Sequence, residues 1–428
     1  MKSSPVFRLS TLMRFSLLTV TTLLLSVTHV TAQCPVTQLT SGLQLPIGIA
    51  QSNKRNLLIS ESGPRGTTNT GSISIVGLDG TRRTLLDGLP SGPNDIGDPS
   101  GPAGLFMRGR TLYVAIGMGD VVVPVVNAMT GLPIPGAGVP NPNGPSSPIF
   151  SSILSVHFSA HVEMTTEGLT LSLADQQALA AGEKVTLSEG NGDSIALELV
   201  TNFPDYIPNP LPTIPGNVRH SNPFDLLAID DGLYVTDGAR NLAWEVDIPT
   251  GAFSVLAEFP PVSNPLPIGA PTVEAVPTGI AHADGQLLVT LFRGFPFPAG
   301  TSVVEQVDAV TGDHAPFISG LRTAVDVLAI TGDGDVDYLV LQHSSVGGAP
   351  LPPFANPGRV LRFEEPGSAP TVVAEGPNCL IRPTAMTLDK KTGTLYVIEY
   401  SGRVLSISGV NPAHPLKLLS FPGKQSNQ

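Results

Sequence analysis

The sequence predicts an all-β fold, a six-bladed β-propeller with an inserted flap or subdomain in blade two. Three observations predict it: a unit of four short strands, the recurrence of that unit along the chain, and the placing of the turn residues. The chain has 428 residues with 45 Gly and 42 Pro, which fall between short apolar runs. Regular breaks of this kind indicate many tight turns and not disorder.

The four-strand unit is clearest between residues 220 and 261. Its strands read FDLLAI, LYVTD, AWEVD and SVLAEF. Each run is rich in Val, Leu, Phe or Tyr, and Gly, Pro or Asp lies at each break between runs. We interpret this unit as one propeller blade.

The unit recurs around six similar anchors, each a Pro or Ala that begins a strand: Pro46, Pro102, Pro223, Pro277, Ala324 and Pro383. The second strands centre on residues 58, 113, 234, 288, 338 and 396, so they are separated by 55, 121, 54, 50 and 58 residues. A period near 50 is typical of propeller blades. The gap of 121 therefore holds one blade and an insertion of roughly 65 residues.

The insertion within blade two spans residues 122–219. It begins as a Pro/Gly-rich loop, continues as a short helix with Ser172 as its N-cap, and then forms a hairpin around Gly190–Asp193. We interpret residues 160–219 as a flap over the ring. A stabilising decoration with no role in binding is the alternative, and the sequence leaves it open.

The first 32 residues have the pattern of a secretory signal peptide. Lys2, Arg8 and Arg14 precede an apolar stretch, and Ala32 ends a run of small residues. The stretch is too short to span a bilayer comfortably, so we expect cleavage before Gln33, with a retained membrane anchor as the alternative. The mature propeller is then residues 33–428, secreted or periplasmic.

Charge and cysteine content agree with an exported protein. Cleavage removes three positive charges, which takes the net charge from −12 to −15. A net charge of this sign disfavours nucleic acid and anionic membrane surfaces as partners. The two cysteines, Cys34 and Cys379, suit an oxidising compartment, but the sequence leaves their pairing open. It also leaves open whether the N-terminal strand or residues 416–420 close the ring.

The longest loops fall on one face of the predicted propeller, and we place the ligand there. Turns between first and second strands are short, whereas those between second and third strands are long and rich in Gly and Pro. Binding residues commonly lie on long loops of a rigid scaffold. The candidates are Arg293, Phe295 and Phe297, predicted to form an exposed cluster, together with His220 and His343.

Acidic residues are predicted to converge on the same rim. Asp225 and Asp326 occupy equivalent places at the start of innermost strands, and Glu61, Asp237 and Glu399 each follow a second-strand anchor by three residues. Oxygen ligands suit Ca²⁺ or another divalent cation. The alternative is that these acids cap turns and accept backbone N–H groups.

The runs SNPFDLLAIDDGLYVTDGARN, VPTGIAHADGQLLV and GFPFPAG resemble the secreted ScyD/ScyE-type propellers of the NHL-like class. This resemblance implies an exported six-bladed propeller and carries over no catalytic residue. The chain also distantly resembles gluconolactonase-type propellers, which bind a metal through Glu, Asn and Asp. Gly48 lies in the region where that family has its first-blade metal Glu.

Motifs for familiar chemistries are absent from the sequence. It contains no G-x-S-x-G elbow, no H-E-x-x-H, no P-loop and no C-x-x-C. We therefore expect a monomeric binding or scaffolding module for a small molecule, glycan or protein partner, with no membrane insertion. The alternative is a metal-dependent lactonase or hydrolase that uses the rim carboxylates.

Overall fold

The structure, a computed structural model, describes residues 34–410 apart from 191, 332–335, 346–356 and 377. The predicted signal peptide and the run 416–420 lie outside the described residues. The first nine strands are β1 (Val36–Thr40), β2 (Pro46–Gln51), β3 (Leu57–Glu61), β4 (Gly71–Val76), β5 (Arg82–Leu89), β6 (Gly92–Pro93), β7 (Pro99–Ser100), β8 (Pro102–Arg108) and β9 (Thr111–Ile116).

The insertion carries both of the described helices. Its elements are β10 (Val122–Val126), β11 (Pro133–Pro140), β12 (Ser152–Phe158), α1 (Val162–Thr165), β13 (Leu169–Thr170), α2 (Leu173–Ala180), β14 (Val185–Ser188), β15 (Ser194–Asn202), β16 (Tyr206–Pro208) and β17 (Val218–His220). Ser172 caps α2, since its Oγ accepts the backbone N–H of Asp175 at 3.2 Å while the Asp175 carboxylate accepts the Ser172 N–H at 2.9 Å.

The remaining strands follow the repeat. They are β18 (Pro223–Ile229), β19 (Gly232–Asp237), β20 (Leu242–Asp247), β21 (Phe253–Glu258), β22 (Val262–Ser263), β23 (Thr272–Val273), β24 (Pro277–Ala283), β25 (Gln286–Leu291), β26 (Ser302–Asp308), β27 (His314–Leu321), β28 (Ala324–Thr331), β29 (Val336–Gln342), β30 (Arg359–Phe363), β31 (Thr371–Glu375), β32 (Pro383–Asp389), β33 (Thr394–Glu399) and β34 (Val404–Ile407).

The strands form propeller-like sheets, as the sequence predicts, and apart from the pair of β13 with β5 their strands are antiparallel. Among the described residues, six sheets hold four or five strands each: β2-β3-β4-β5-β13, β8-β9-β12-β15-β14, β18 to β21, β24 to β27, β28 to β31, and β32-β33-β34-β1. We number them sheets one to six. Their innermost strands, β2, β8, β18, β24, β28 and β32, each contact the next around a closed cycle, and β32 contacts β2.

Side chains that pack between neighbouring sheets make the core. The second strand of a sheet is covered on both faces, and all five residues of β3, Leu57–Glu61, are buried. This explains why the second strands are continuous apolar runs and not alternating ones. The stacked rings of Phe203 and Trp244, with centroids 5.1 Å apart, pack between sheets two and three.

The N-terminal strand completes sheet six. β1 pairs antiparallel with β34, so a strand from the start of the chain is the outermost strand of the last sheet. Cys34 and Cys379 form a disulfide with 5.5 Å between their Cα atoms. Both features link the N-terminal strand to the last sheet of the ring.

The insertion does not behave as one flap over the ring. β13 adds to sheet one in parallel with β5, and β14 adds to the outer edge of sheet two as a hairpin with β15. The Gln176 side chain of α2 donates to the Gly88 carbonyl at 2.9 Å. Residues 162–202 therefore lie along the outer edges of sheets one and two, because their apolar side chains complete the core between these sheets.

Candidate functional site

A cavity of about 400 Å³ opens where the innermost strands begin, on the face of the long loops. Its walls include the second residue of the inner strand from five of the six sheets: Ile47, Phe224, Thr278, Val325 and Thr384. Contributions from so many sheets place it on the axis of the ring. We call it the mouth cavity.

A second ring of lining residues follows from the repeat. The residue directly after a second strand lines the mouth cavity in four sheets: Gly238, Phe292, His343 and Tyr400. These positions follow the last residue of β19, β25, β29 and β33. The connections before the inner strands add Asp98, His220, Asn222, Val276 and Arg382.

The two sides of the mouth cavity differ in character. On the side of sheets six and one, the Arg382 guanidinium lies 4.6 Å from the centroid of the Tyr400 ring, and Asp98 forms an ion pair with Arg65. Burial and the nearby Asp98 charge raise the pKa of Tyr400. On the side of sheets three to five, the apolar side chains of Phe224, Val276, Phe292 and Val325 line the cavity beside a few polar ones, His220, Asn222, Thr278 and His343.

The two predicted histidines line the mouth cavity from different sheets. His343 is buried, and its Nδ1 lies 2.9 Å from the Pro383 carbonyl oxygen, so Nδ1 is the protonated nitrogen. Burial lowers the pKa of His343 to about 4, which keeps the ring neutral at pH 7. Burial also lowers the pKa of His220, although Asp95 and Asp237 oppose this.

The predicted Arg293, Phe295 and Phe297 cluster divides in the structure. Phe295 is 47% exposed, whereas Arg293 is buried and its Nε donates to the Thr301 carbonyl at 2.9 Å. The prediction of an exposed cation is therefore wrong, because a carbonyl of the neighbouring strand region holds the guanidinium inside. The rings of Phe295, Phe297, Phe292 and His343 form a row with centroids 6.1, 5.9 and 5.8 Å apart. This row leads from the surface to the mouth cavity.

Asp225 and Asp326 lie on inner strands and tie neighbouring sheets together. Asp225 accepts the backbone N–H of Leu226 at 2.9 Å and that of Ile280, in sheet four, at 3.1 Å. Burial raises the pKa of Asp225 to about 7. Burial and the charge of Asp225 raise the pKa of Asp326 well above its ordinary value, so the two carboxyls lie close enough to interact.

Glu61, Asp237 and Glu399 form a separate set at the ends of second strands. Each is paired in register with the first residue of its inner strand and accepts a backbone N–H from the residues just before that strand. Asp237 accepts from Asn222 at 2.8 Å, Glu399 accepts from Ile381 at 2.6 Å, and Glu61 accepts from Gln44. We call them the corner acids.

The described carboxylates do not fit a divalent cation. Both oxygens of Asp225 and of Asp326 accept backbone N–H groups, and the corner acids also accept hydrogen bonds from N–H groups. Within the described ranges, no three His, Cys, Asp or Glu groups are placed to hold a metal. We therefore derive no chemical step through a metal.

Comparisons with known proteins show likeness of fold only. No family profile matches the chain, and no curated protein matches it. Among solved structures, the chain is similar to a gluconolactonase from Xanthomonas campestris, with 13% identity over 87% of this chain and 89% of that one and a TM-score of 0.45. It is also similar to the soluble aldose sugar dehydrogenase from Escherichia coli, with 12% identity over 87% and 99% and a TM-score of 0.45. At these scores the likeness carries no argument about activity.

Sequence reasoning missed Arg382, Tyr400 and Asp98. A signal for Tyr400 exists, since it directly follows the corner acid Glu399 and so faces the axis by the repeat. Arg382 directly precedes the anchor Pro383, in the same way that Asn222 precedes Pro223. Asp98 lies in an irregular connection, where the repeat gives no position.

Proposed function

We propose that this protein binds a small organic anion with an apolar body at the mouth cavity. The observation that carries the proposal is the two-sided lining of one axial cavity, with Arg382 and Tyr400 facing Phe224, Val276 and Phe292 across the ring. A volume of about 400 Å³ falls within the usual range for small-molecule sites.

The lining explains the chemistry of this ligand. Arg382 supplies a positive charge and hydrogen-bond donors for a carboxylate or similar group. The apolar side favours a ring or branched carbon skeleton that loses contact with water. Neutral His343 adds a polar edge without adding charge.

The first test is thermal stability with benzoate and with gluconate, two carboxylates with and without an aromatic ring. We expect benzoate to raise the melting temperature of the wild type in a saturable way, and Arg382→Met to remove the effect. Arg110→Met removes an exposed arginine elsewhere and should leave the effect intact. If benzoate stabilises all three proteins equally, or none of them, the proposal fails.

A catalytic role is the second candidate, in which the mouth cavity holds a lactone or ester for hydrolysis. Asp225 favours it, because it directly follows the lining residue Phe224, and a carboxyl with a pKa of about 7 can transfer protons near neutral pH. Gluconolactone, a simple lactone whose hydrolysis releases a free acid, is the first substrate to try. Release of acid from gluconolactone that Asp225→Asn abolishes and Arg110→Met preserves would establish hydrolysis.

We also propose export of the chain and membership of the ScyD/ScyE-type propellers. The disulfide between Cys34 and Cys379 supports export, since such bonds persist in oxidising compartments. No helix in the described part of the chain is long and apolar enough to cross a membrane. Secretion of a full-length fusion to a reporter, and its loss on deletion of residues 1–32, tests the proposal.

A further inference from the structure

Buried polar atoms without a hydrogen-bond partner are concentrated at one place in the described part of the chain. Five of the eleven such side-chain atoms belong to four residues at the loop-face end of sheets four and five: Arg293, Arg322, Gln342 and Ser344. All five atoms, two of them on Arg322, can donate a hydrogen bond. We call these four residues the donor cluster. What it lacks is an acceptor.

Arg322 is the centre of the donor cluster. It is only 5% exposed, and its Nε and Nη1 have no acceptor. Burial lowers the pKa of the Arg322 guanidinium, and no acidic group among the described residues opposes this. A buried guanidinium without a partner is strongly unfavourable, so native proteins rarely contain one without a counter-ion.

Arg293 reaches the cluster from sheet four. Its Nε donates to Thr301 O at 2.9 Å, while Nη1 has no acceptor. The residues that flank Arg322 contact the same short segment, because Gly300 N donates to Leu321 O at 2.8 Å and Ala324 N donates to Ser302 Oγ at 2.9 Å. The segment 300–302 therefore holds both the Arg293 side chain and the backbone on either side of Arg322.

Gln342 and Ser344 reach the cluster from the opposite side. Ser344 N donates to Thr323 Oγ1 at 3.0 Å, and Gln342 is the register partner of Ala324. Nε2 of Gln342 and Oγ of Ser344 are left without a partner beside the run 322–324. Gln342 occupies the position that a corner acid occupies in sheets one, three and six, so this sheet has an amide donor where the others have a carboxylate.

The three runs of sequence that carry the donor cluster contain no acidic residue. Neither 286–304, nor 314–325, nor 338–363 contains an Asp or Glu. These three runs carry all four members of the cluster. Glu305, just beyond the first run, places a negative charge near Arg293, whereas no described acidic group does so for Arg322. The missing counter-ion is therefore that of Arg322.

We propose that the donor cluster binds a small oxyanion, of the carboxylate or phosphate class, between sheets four and five. The oxygen atoms of such an anion accept several hydrogen bonds and supply the missing negative charge. This proposal is separate from the proposed function, since neither Arg293 nor Arg322 lines the mouth cavity.

The test is the thermal stability of the full chain in chloride buffer, with sodium phosphate or sodium acetate added at constant ionic strength. We expect a saturable rise of roughly 2–5 °C at concentrations well above the dissociation constant. Arg322→Met should lose this rise and Arg293→Met should weaken it. Arg110→Met, an exposed arginine, and Arg382→Met, in the mouth cavity, should both keep it.

The contrary outcomes are distinct. If neither anion raises the melting temperature of the wild type above that in chloride, the proposal is wrong. It is equally wrong if Arg322→Met retains the rise, because the ion is then bound elsewhere. If Arg322→Met fails to fold, the Arg322→Lys variant takes its place, and we expect it to bind the anion at least tenfold more weakly, because lysine lacks the planar fork of donors.

A rise with acetate alone, or with phosphate alone, identifies which class of oxyanion the cluster takes. Loss of benzoate binding in Arg382→Met without loss of the phosphate effect separates the two sites.

Discussion

The Asp326 carboxylate accepts a hydrogen bond of 2.8 Å from the backbone N–H of Met386, across the boundary between sheets five and six. Asp225 forms the equivalent bond to Ile280 across the boundary between sheets three and four. Ile280 and Met386 lie on β24 and β32, which are edge strands of their sheets and have no further strand on the channel side. The two carboxylates therefore complete the backbone pairing around the channel.

We predict that Asp326→Ala destabilises the protein by about 1–3 kcal/mol, because it leaves the Met386 N–H buried without an acceptor. Asp326→Asn keeps one acceptor oxygen and should lose less. Urea unfolding at fixed pH measures both variants. An Asp326→Ala protein as stable as the wild type would show that water replaces the carboxylate at no cost.

The equivalence of Asp225 and Asp326 can be predicted from the repeat, and so can the six anchors and the face of the long loops. The bonds that these acids form cannot, because they depend on how the inner strands of neighbouring sheets are placed against each other. The sequence left open whether these acids bind a cation or accept backbone N–H groups, and the structure has the second arrangement, as ties between sheets.

The outer position of the insertion also escaped prediction. The helix cap at Ser172 and the hairpin around Gly190–Asp193 follow local rules, and both could be predicted. Parallel pairing of Leu169 and Thr170 with β5 depends on a contact between residues more than 80 positions apart. No local pattern encodes that contact.

A second prediction concerns Gly279, which faces Asp326. A Cβ at Gly279 would lie 2.6 Å from Asp326 Cα and 2.8 Å from its Oδ1, so Gly279→Ala must push sheets four and five apart. We expect a loss of about 1–3 kcal/mol, the usual range for overpacking. Gly216→Ala, where no atom lies within 4 Å, is the matched control. Equal stability of the two variants in urea would contradict the close approach.

A third prediction is a pH dependence with two opposing parts. The folded-state pKa of Asp225 is raised to about 7, so the folded protein binds more protons than the unfolded chain, and stability falls as pH rises from about 4 to 7. The folded-state pKa of His343 is lowered to about 4, so its contribution falls as pH drops below about 6.5.

The double variant Asp225→Asn, Asp326→Asn separates these two parts. Its free energy of unfolding relative to the wild type should rise steadily between pH 4 and pH 7, in addition to a constant offset from the altered hydrogen bonds. Urea unfolding at intervals of half a pH unit measures the difference. A flat difference would mean that neither carboxyl has a raised pKa.

A fourth prediction tests the corner acids. Glu399 is fully buried and accepts from Arg403 Nε at 2.6 Å and from Ile381 N at 2.6 Å. Glu399→Gln leaves the Arg403 charge without a counter-ion, so we expect a loss of about 1–3 kcal/mol. Glu198→Gln breaks the exposed pair with Lys184 and should change stability by less than about 1 kcal/mol. If the two variants lose equal stability, Glu399 is not a structural residue.

The last prediction concerns closure of the ring. β1 is the outermost strand of sheet six, and the disulfide joins Cys34, two residues before it, to Cys379, 345 residues further along the chain. In the chain-entropy view, closing so long a loop restricts the unfolded state by on the order of 5 kcal/mol. The double variant Cys34→Ser, Cys379→Ser should therefore unfold at markedly lower urea concentration, while its sheets one to five keep their structure in the absence of urea.

A reducing agent should lower the stability of the wild type toward that of the double variant and leave the variant unchanged. If the reduced wild type and the double variant are both as stable as the oxidised protein, pairing of β1 with β34 is sufficient to close the ring without the disulfide.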